Sequence, residues 1–146
     1  MITTMDRHYQ QSETEEVAEA LLGILAAGST EATVVGLSGD LGAGKTTLVQ
    51  ALAQGLGVQE TVVSPTFVIA KFYDTTHDTW KKLIHIDAYR IEDPKELEVL
   101  GWKDMLSDPN TLLIVEWPER IKDILPETAQ CFEIEHGEGG RRIRKK

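Results

Sequence analysis

Gly39 to Thr46 reads GDLGAGKT, a match to G-x-x-x-x-G-K-[ST]. Glycines in such a loop let successive backbone N–H groups turn inward and cradle a phosphate chain. At this spacing the Lys45 ammonium reaches for the β and γ phosphates of a nucleotide and the Thr46 hydroxyl for Mg²⁺. A helix opening at Lys45 would aim its positive dipole end at the same anion. Thr47 suits either a helix position or a further phosphate donor. Hydrolysis asks for more: a metal held across the phosphates and a water in line with the last of them, hence carboxylates at neighbouring strand ends. Two segments offer them. Glu116 closes the apolar run TLLIVE, either as a carboxylate holding Mg²⁺ directly or through water, or as a strand-end cap beside Pro118. Asp87, in KLIHIDAYRI, alternates onto one face with His85 and Tyr89, which fits a ligand-bearing strand and a solvated edge strand equally. Between the glycine loop and Asp87, Pro65 sets a turn in VVSPTF. The hydroxyls of Ser64 and Thr66 there suit a nucleotide-sensing switch or the opening of a strand.

These residues need elements to carry them. ATVVGL is a short β-branched run ending at the glycines, the pattern of a strand buried on both faces, and Leu48, Leu52 and Leu56 then fall on one stripe of a helix from Lys45. Upstream, Ser12 and Glu15 stand at capping-box spacing before Val17, Leu21, Ile24 and Leu25, so a first helix is expected to end near Gly28. DTTHDTW reads as the turn of a β-hairpin, placing antiparallel strands beside a parallel core. DPKELEVLG reads as a short helix with Asp93 as N-cap, Pro94 at its first position, Glu96 at its third and Gly101 past its end. AQCFEIE reads as a strand in which Cys131 is a buried thiol rather than a nucleophile. Strands alternating with helices make an α/β fold.

Length and charge set the outer bounds. A chain of 146 residues, 41% hydrophobic, is enough for one core, so residues 1–146 are expected to form a single domain. The net charge is −9, and five of the fifteen basic residues lie in the closing RRIRKK, so the body before it is more acidic still. That balance disfavours a broad face gripping nucleic acid. Residues 137–146 form a basic tail, read as a flexible, frayed terminus, a final edge strand or a partner-binding segment. One cysteine forms no internal disulfide, and no apolar run reaches bilayer-spanning length, so a cytoplasmic protein without membrane contact is expected.

The nucleotide narrows by elimination. A guanine-reading N-K-x-D needs Asn followed by Lys, and Asn110, the only asparagine, precedes Thr, which leaves ATP the better choice. A small-molecule kinase needs an arginine-bearing lid, whereas PERIKDILPETAQ offers only Arg120.

Taken together, GDLGAGKTT, SPTF, HIDAYR and IVEWPER, in this order and at these separations, resemble the bacterial TsaE (YjeE) family, the ATPase component of tRNA threonylcarbamoyladenosine biosynthesis. The likeness runs from about Ser12 to Glu135. It departs at Ile91, where the family often has leucine, and at EGGRRIRKK, which matches none of these motifs. It implies a P-loop NTPase-like mixed sheet with flanking helices and an antiparallel hairpin insertion. It implies ATP and Mg²⁺ held by Gly42, Gly44, Lys45 and Thr46, with Asp40, Leu41, Ala43 and Thr47 completing the nucleotide contacts. By the same matching, Thr66 resembles the switch threonine and Trp117 a site-proximal aromatic. Lys45, Asp87 and Glu116 resemble the catalytic set, with Thr46, Asp87 and Glu116 as metal or water ligands, the last two in either order. The resemblance also implies partners: a threonylcarbamoyl transferase subunit and its companion, with tRNA met indirectly through that complex. ATP turnover there resets the complex between rounds of modifying the adenosine beside the anticodon. The absence of an obvious arginine finger, with Arg90 and Arg120 as in-chain candidates, points to partner-stimulated hydrolysis. Two other readings stand beside it: a nucleotide-dependent binding module with incidental hydrolysis, and a small-molecule kinase.

Overall fold

Two runs buried at every position, β2 (Thr33–Ser38) and β5 (Thr111–Glu116), lie side by side in parallel, with Thr33 opposite Leu112 and Leu37 opposite Glu116. Both are apolar through their middles and rich in β-branched residues, as suits strands covered on both faces. They come from a computed structural model that describes residues 5–28, 30–40, 42–62 and 69–146. Beyond β5 runs β4 (Lys82–Asp87), and beyond β2 runs β6 (Gln130–Gly137), both parallel to the centre. The flanks are antiparallel: β3 (Ala70–Asp74) on β4, then β7 (Gly140–Lys145) on β6 and β1 (Asp6–Tyr9) on β7. The result is a seven-stranded mixed sheet of order β1-β7-β6-β2-β5-β4-β3.

Side-chain alternation sends the two faces of this sheet into separate cores. On one, α1 (Thr14–Ile24) and α2 (Lys45–Gly55) bring Val17, Leu21, Leu48 and Leu52 against Leu37, Ile114 and Phe132. On the other, α3 (Lys95–Val99) and α4 (Trp102–Leu106) bring Leu97 and Trp102 against Ile86, Leu113 and Val115. The expected hairpin is β3–β4. Its turn folds back on the body, because the buried Trp80 indole N–H donates to Thr33 Oγ1 at 2.9 Å.

Several local readings shift. A 3-10 turn at Gln11–Glu13 precedes α1, and Glu13 rather than Glu15 closes the cap by accepting the Gln10 N–H at 2.9 Å. The helix stops at Ile24, short of Gly28: Leu25 turns extended, and Ala26 is drawn to β6 by a pair of hydrogen bonds with the Gln130 amide. Asp93 and Glu96 cap α3 as expected, but the helix starts one position later, at Lys95, and Gly101 opens α4 as well as ending α3. β4 is not a solvated edge, since β3 covers it and His85 is fully buried. The basic C-terminal segment is neither frayed nor an edge strand; residues 140–145 pair with β6 and residues 141–144 with β1. Its charges are matched there, Arg142 with Asp6 at 2.7 Å and Arg144 with Glu133 and Glu135 at 2.7 and 3.0 Å. Cys131 lies half-buried in β6, and burial pushes its thiol pKa up, as suits a structural cysteine. No helix among the described residues is long and apolar enough to cross a membrane.

Candidate phosphate and metal site

The chemistry-bearing residues converge at the carboxyl ends of the central strands, where open parallel sheets bind their ligands. β2 runs straight into the glycine loop, β4 ends in Asp87 and β5 in Glu116, and the register sets Asp87 opposite Glu116. α2 begins at Lys45, so its unpaired first N–H groups face the same space.

Lys45 is buried, at 5% exposure, and donates to the carbonyl of its own loop residue Gly39 and, at 3.5 Å, to that of Asp40. Its ammonium also sits 3.8 Å above the Trp117 ring centroid, a cation–π contact. Burial, the largest effect, pulls its pKa below the usual lysine value, and the carboxylates of Glu116, Asp87, Glu119 and Asp40 pull the other way. Trp117 holds this position in a left-handed backbone conformation, φ 60° and ψ 51°. That is unusual for a bulky residue and more so before proline, and strain of this kind collects at functional sites. Its N–H is tied to Leu37 O of β2, and its ring packs on Tyr89.

Glu116 is 3% exposed, and Thr46 Oγ1 stands 3.3 Å from both of its carboxylate oxygens. Its Oε2 also lies 2.5 Å from His85 Nε2. Asp87 Oδ1 accepts the Tyr89 N–H at 3.0 Å, fixing the turn that leaves β4. A hydroxyl and carboxylates at a helix N-terminus are the hard oxygen donors that Mg²⁺ takes. No group of three or more His, Cys, Asp or Glu suited to a metal occurs among the described residues. The donor set therefore suits a cation that brings phosphate and water ligands of its own, as Mg²⁺ does with nucleotides.

Of the residues singled out from sequence, Lys45, Thr46, Asp87, Glu116 and Trp117 come together here. Asp40 and Gly42 lie exposed on the loop, Ala43 is buried, and Thr47 is half-buried in the first turn of α2. Leu41, Ser64 and Thr66 fall outside the described residues. Arg90 is exposed after β4, and Arg120 lies 5.8 Å from the Tyr89 ring. The arginine against the loop is a different one, Arg141 of β7. A Cβ at Gly44 would lie 2.8 Å from its Cζ, and its buried Nη1 has no hydrogen-bond partner. Sequence gave no sign of this, since Arg141 stood in the unmatched tail. Ser38 was missed too: its hydroxyl donates to Glu119 Oε2 at 2.8 Å, tying the last residue of β2 to the turn after β5. A cavity of about 600 Å³ opens between Gly39, Asp40, Gly42 and Ala43 of the loop and Glu133–His136 of β6.

Residues 8–144 match the family model described as threonylcarbamoyl adenosine biosynthesis protein TsaE. A relative from Haemophilus influenzae, named tRNA threonylcarbamoyladenosine biosynthesis protein TsaE, is 39% identical over 113 residues, 77% of this chain and 69% of the relative. A protein of the same name from Streptomyces coelicolor is 41% identical over 125 residues, 85% and 80% of the two chains. The crystal structure of Bacillus subtilis YdiB superposes with a TM-score of 0.73 at 29% identity, covering 99% of this chain and 86% of that one. With a matching family model over nearly its whole length, relatives 39% and 41% identical and a shared sheet architecture, this chain belongs to the TsaE family.

Proposed function

We propose that this chain binds ATP with Mg²⁺ at the glycine loop and hydrolyses it in support of threonylcarbamoyladenosine modification of tRNA in the cytoplasm, acting with a threonylcarbamoyl transferase and its companion subunit. The observation that carries the reading is the buried Glu116 carboxylate held against Thr46 at the start of α2, with Asp87 beside it in register. Thr46 and Glu116 would hold the magnesium. Bound there, the ion supplies charge neutralisation and Lewis-acid polarisation of the phosphoryl oxygens. Lys45 exchanges its loop carbonyls and the Trp117 face for phosphate oxygens, a trade favoured by the greater strength of charge-assisted hydrogen bonds. Asp87, whose second oxygen is not used by Tyr89, orients the attacking water and takes its proton. Arg141 adds a cation on the β7 side of the loop.

The decisive experiment is phosphate release from ATP by the purified chain, alone and with the transferase pair, with Lys45→Ala as the blank. Release that rises on adding the pair and vanishes in the blank is expected. Glu116→Gln should lower it by about 100-fold or more while ATP still binds. Weak release indifferent both to partners and to Glu116→Gln, alongside ATP-dependent complex formation, would replace this reading with a nucleotide-gated binding module.

A further inference from the structure

His85 takes no part in the mechanism above, yet its placement is costly. The imidazole is fully buried on the same face of β4 as Leu83, its Nε2 is 2.5 Å from Glu116 Oε2, and its Nδ1 is buried without a partner. A carboxylate oxygen accepts, so Nε2 carries the hydrogen. Nδ1 is left with a bare lone pair, less costly to bury than an orphaned N–H. A polar ring half-satisfied in an apolar layer is unfavourable against an aliphatic side chain of similar volume, unless the bond it makes is needed. That bond falls on Oε2, one of the two carboxylate oxygens that Thr46 Oγ1 faces at 3.3 Å. His85, Glu116 and Thr46 thus form a chain running from the core to the mouth of the phosphate loop.

We infer that His85 is a positioning residue for the Glu116 carboxylate, holding Oε2 through Nε2–H so that the group presents itself to Thr46 and a divalent cation. The inference rests on the reading of Glu116 as a metal-holding carboxylate. Without the Nε2 donor, Glu116 keeps only the long Thr46 contact and is drawn toward the Lys45 ammonium, whose charge already acts on it.

The test uses the full chain, a non-hydrolysable ATP analogue and Mn²⁺ as the metal, and reads the factor by which Mn²⁺ tightens analogue binding. Glutamine places an amide nitrogen as many bonds from Cα as Nε2, whereas asparagine stops one atom short. His85→Asn should therefore cut the factor by about 10–100-fold, the usual effect of removing a ligand's supporting partner. His85→Gln should restore most of it, and His85→Leu replaces the asparagine variant if that one does not fold. Glu116→Gln is run alongside. If it loses the metal effect and His85→Asn does not, the inference about His85 fails alone. Equal loss in His85→Asn and His85→Gln would make the ring merely structural and overturn it as well. A Glu116→Gln protein that keeps the full metal effect overturns the reading of Glu116, and the inference with it.

Discussion

Gly44 carries two constraints at once, and they can be separated. Its φ of 102° lies in the left-handed region, and a Cβ there would lie within 3.0 Å of three atoms of the Arg141 guanidinium. Gly42, at φ 81°, carries only the first constraint, since nothing lies within 4 Å of its would-be Cβ. Both alanine substitutions incur the backbone penalty of roughly 1–2 kcal/mol. Gly44→Ala must in addition push Arg141 off the loop. We expect similar losses in thermal stability from the two variants, but a fall in ATP affinity of at least about tenfold for Gly44→Ala beyond that of Gly42→Ala. Equal affinities by calorimetric titration would mean that Arg141 contributes nothing to the anion seat. At this scale the sequence was most legible where chemistry fixes spacing. Lys45 and Thr46 sit at set offsets from their glycines, and Glu116 ends an apolar strand. Arg141 and His85 were not legible as site residues. The first reaches the loop through a strand pairing between the two ends of the chain. The second shares a face with Asp87 that alternation alone leaves open to solvent.

Strands β2 and β5, the hairpin and α2 follow from local pattern, because burial on both faces and a leucine stripe leave marks in single segments. Strand β1 leaves none. DRHY has no apolar alternation, and only Tyr9 of its four residues is buried. What places it is pairing with β7, reinforced by the two hydrogen bonds that the Arg142 guanidinium gives Asp6 at 2.7 and 2.8 Å. That hydrogen bonding holds the Asp6 carboxyl below its ordinary pKa. The folded state thus favours the ionised form. The contribution to β1 docking is complete above the ordinary carboxylate pKa and is lost as pH falls through the lower folded value. Amide protection factors along β1 should hold steady down to the ordinary carboxylate range and fall only below it. Asp6→Asn should show lower protection at neutral pH and no acid-side step. Because the pair is exposed the effect is confined to fraying of this edge. A step of the same size in the Asp6→Asn protein would assign it to another carboxylate.

The whole molecule is closed by its ends. Composition showed an acidic body with a basic close, and a terminus of that kind is ordinarily solvated. Here it is an inner strand in which Arg142 and Arg144 find partners across the sheet, Asp6 on β1 and Glu133 and Glu135 on β6, while Arg141 lies against the glycine loop at Gly44. Pairwise charge matching between segments so far apart has no local signature, so the order β1-β7-β6-β2 could not be read from sequence, whereas β2-β5 and the β3–β4 hairpin could. The placement makes residues 140–146 responsible for two separable things. Deleting them strips β6 of one ladder and leaves β1 without any, and it uncovers Ile143, which is fully buried. Stability should fall by several kcal/mol, the loss of one core aliphatic side chain alone being about 2–5 kcal/mol. Arg141→Ala keeps the strand, its backbone ladder and Ile143. Its melting temperature should stay within a few degrees of the parent while ATP affinity falls by about tenfold or more, since a charge-assisted hydrogen bond is worth about 1.5–3 kcal/mol. Thermal melts with and without ATP tell the two roles apart. The parent should gain in melting temperature on adding ATP, Arg141→Ala should gain much less from the same starting point, and the deletion should start far lower. A deletion protein that melts with the parent would mean that β7 is dispensable to the sheet, and an Arg141→Ala protein with the full ATP-induced gain would remove this arginine from the site.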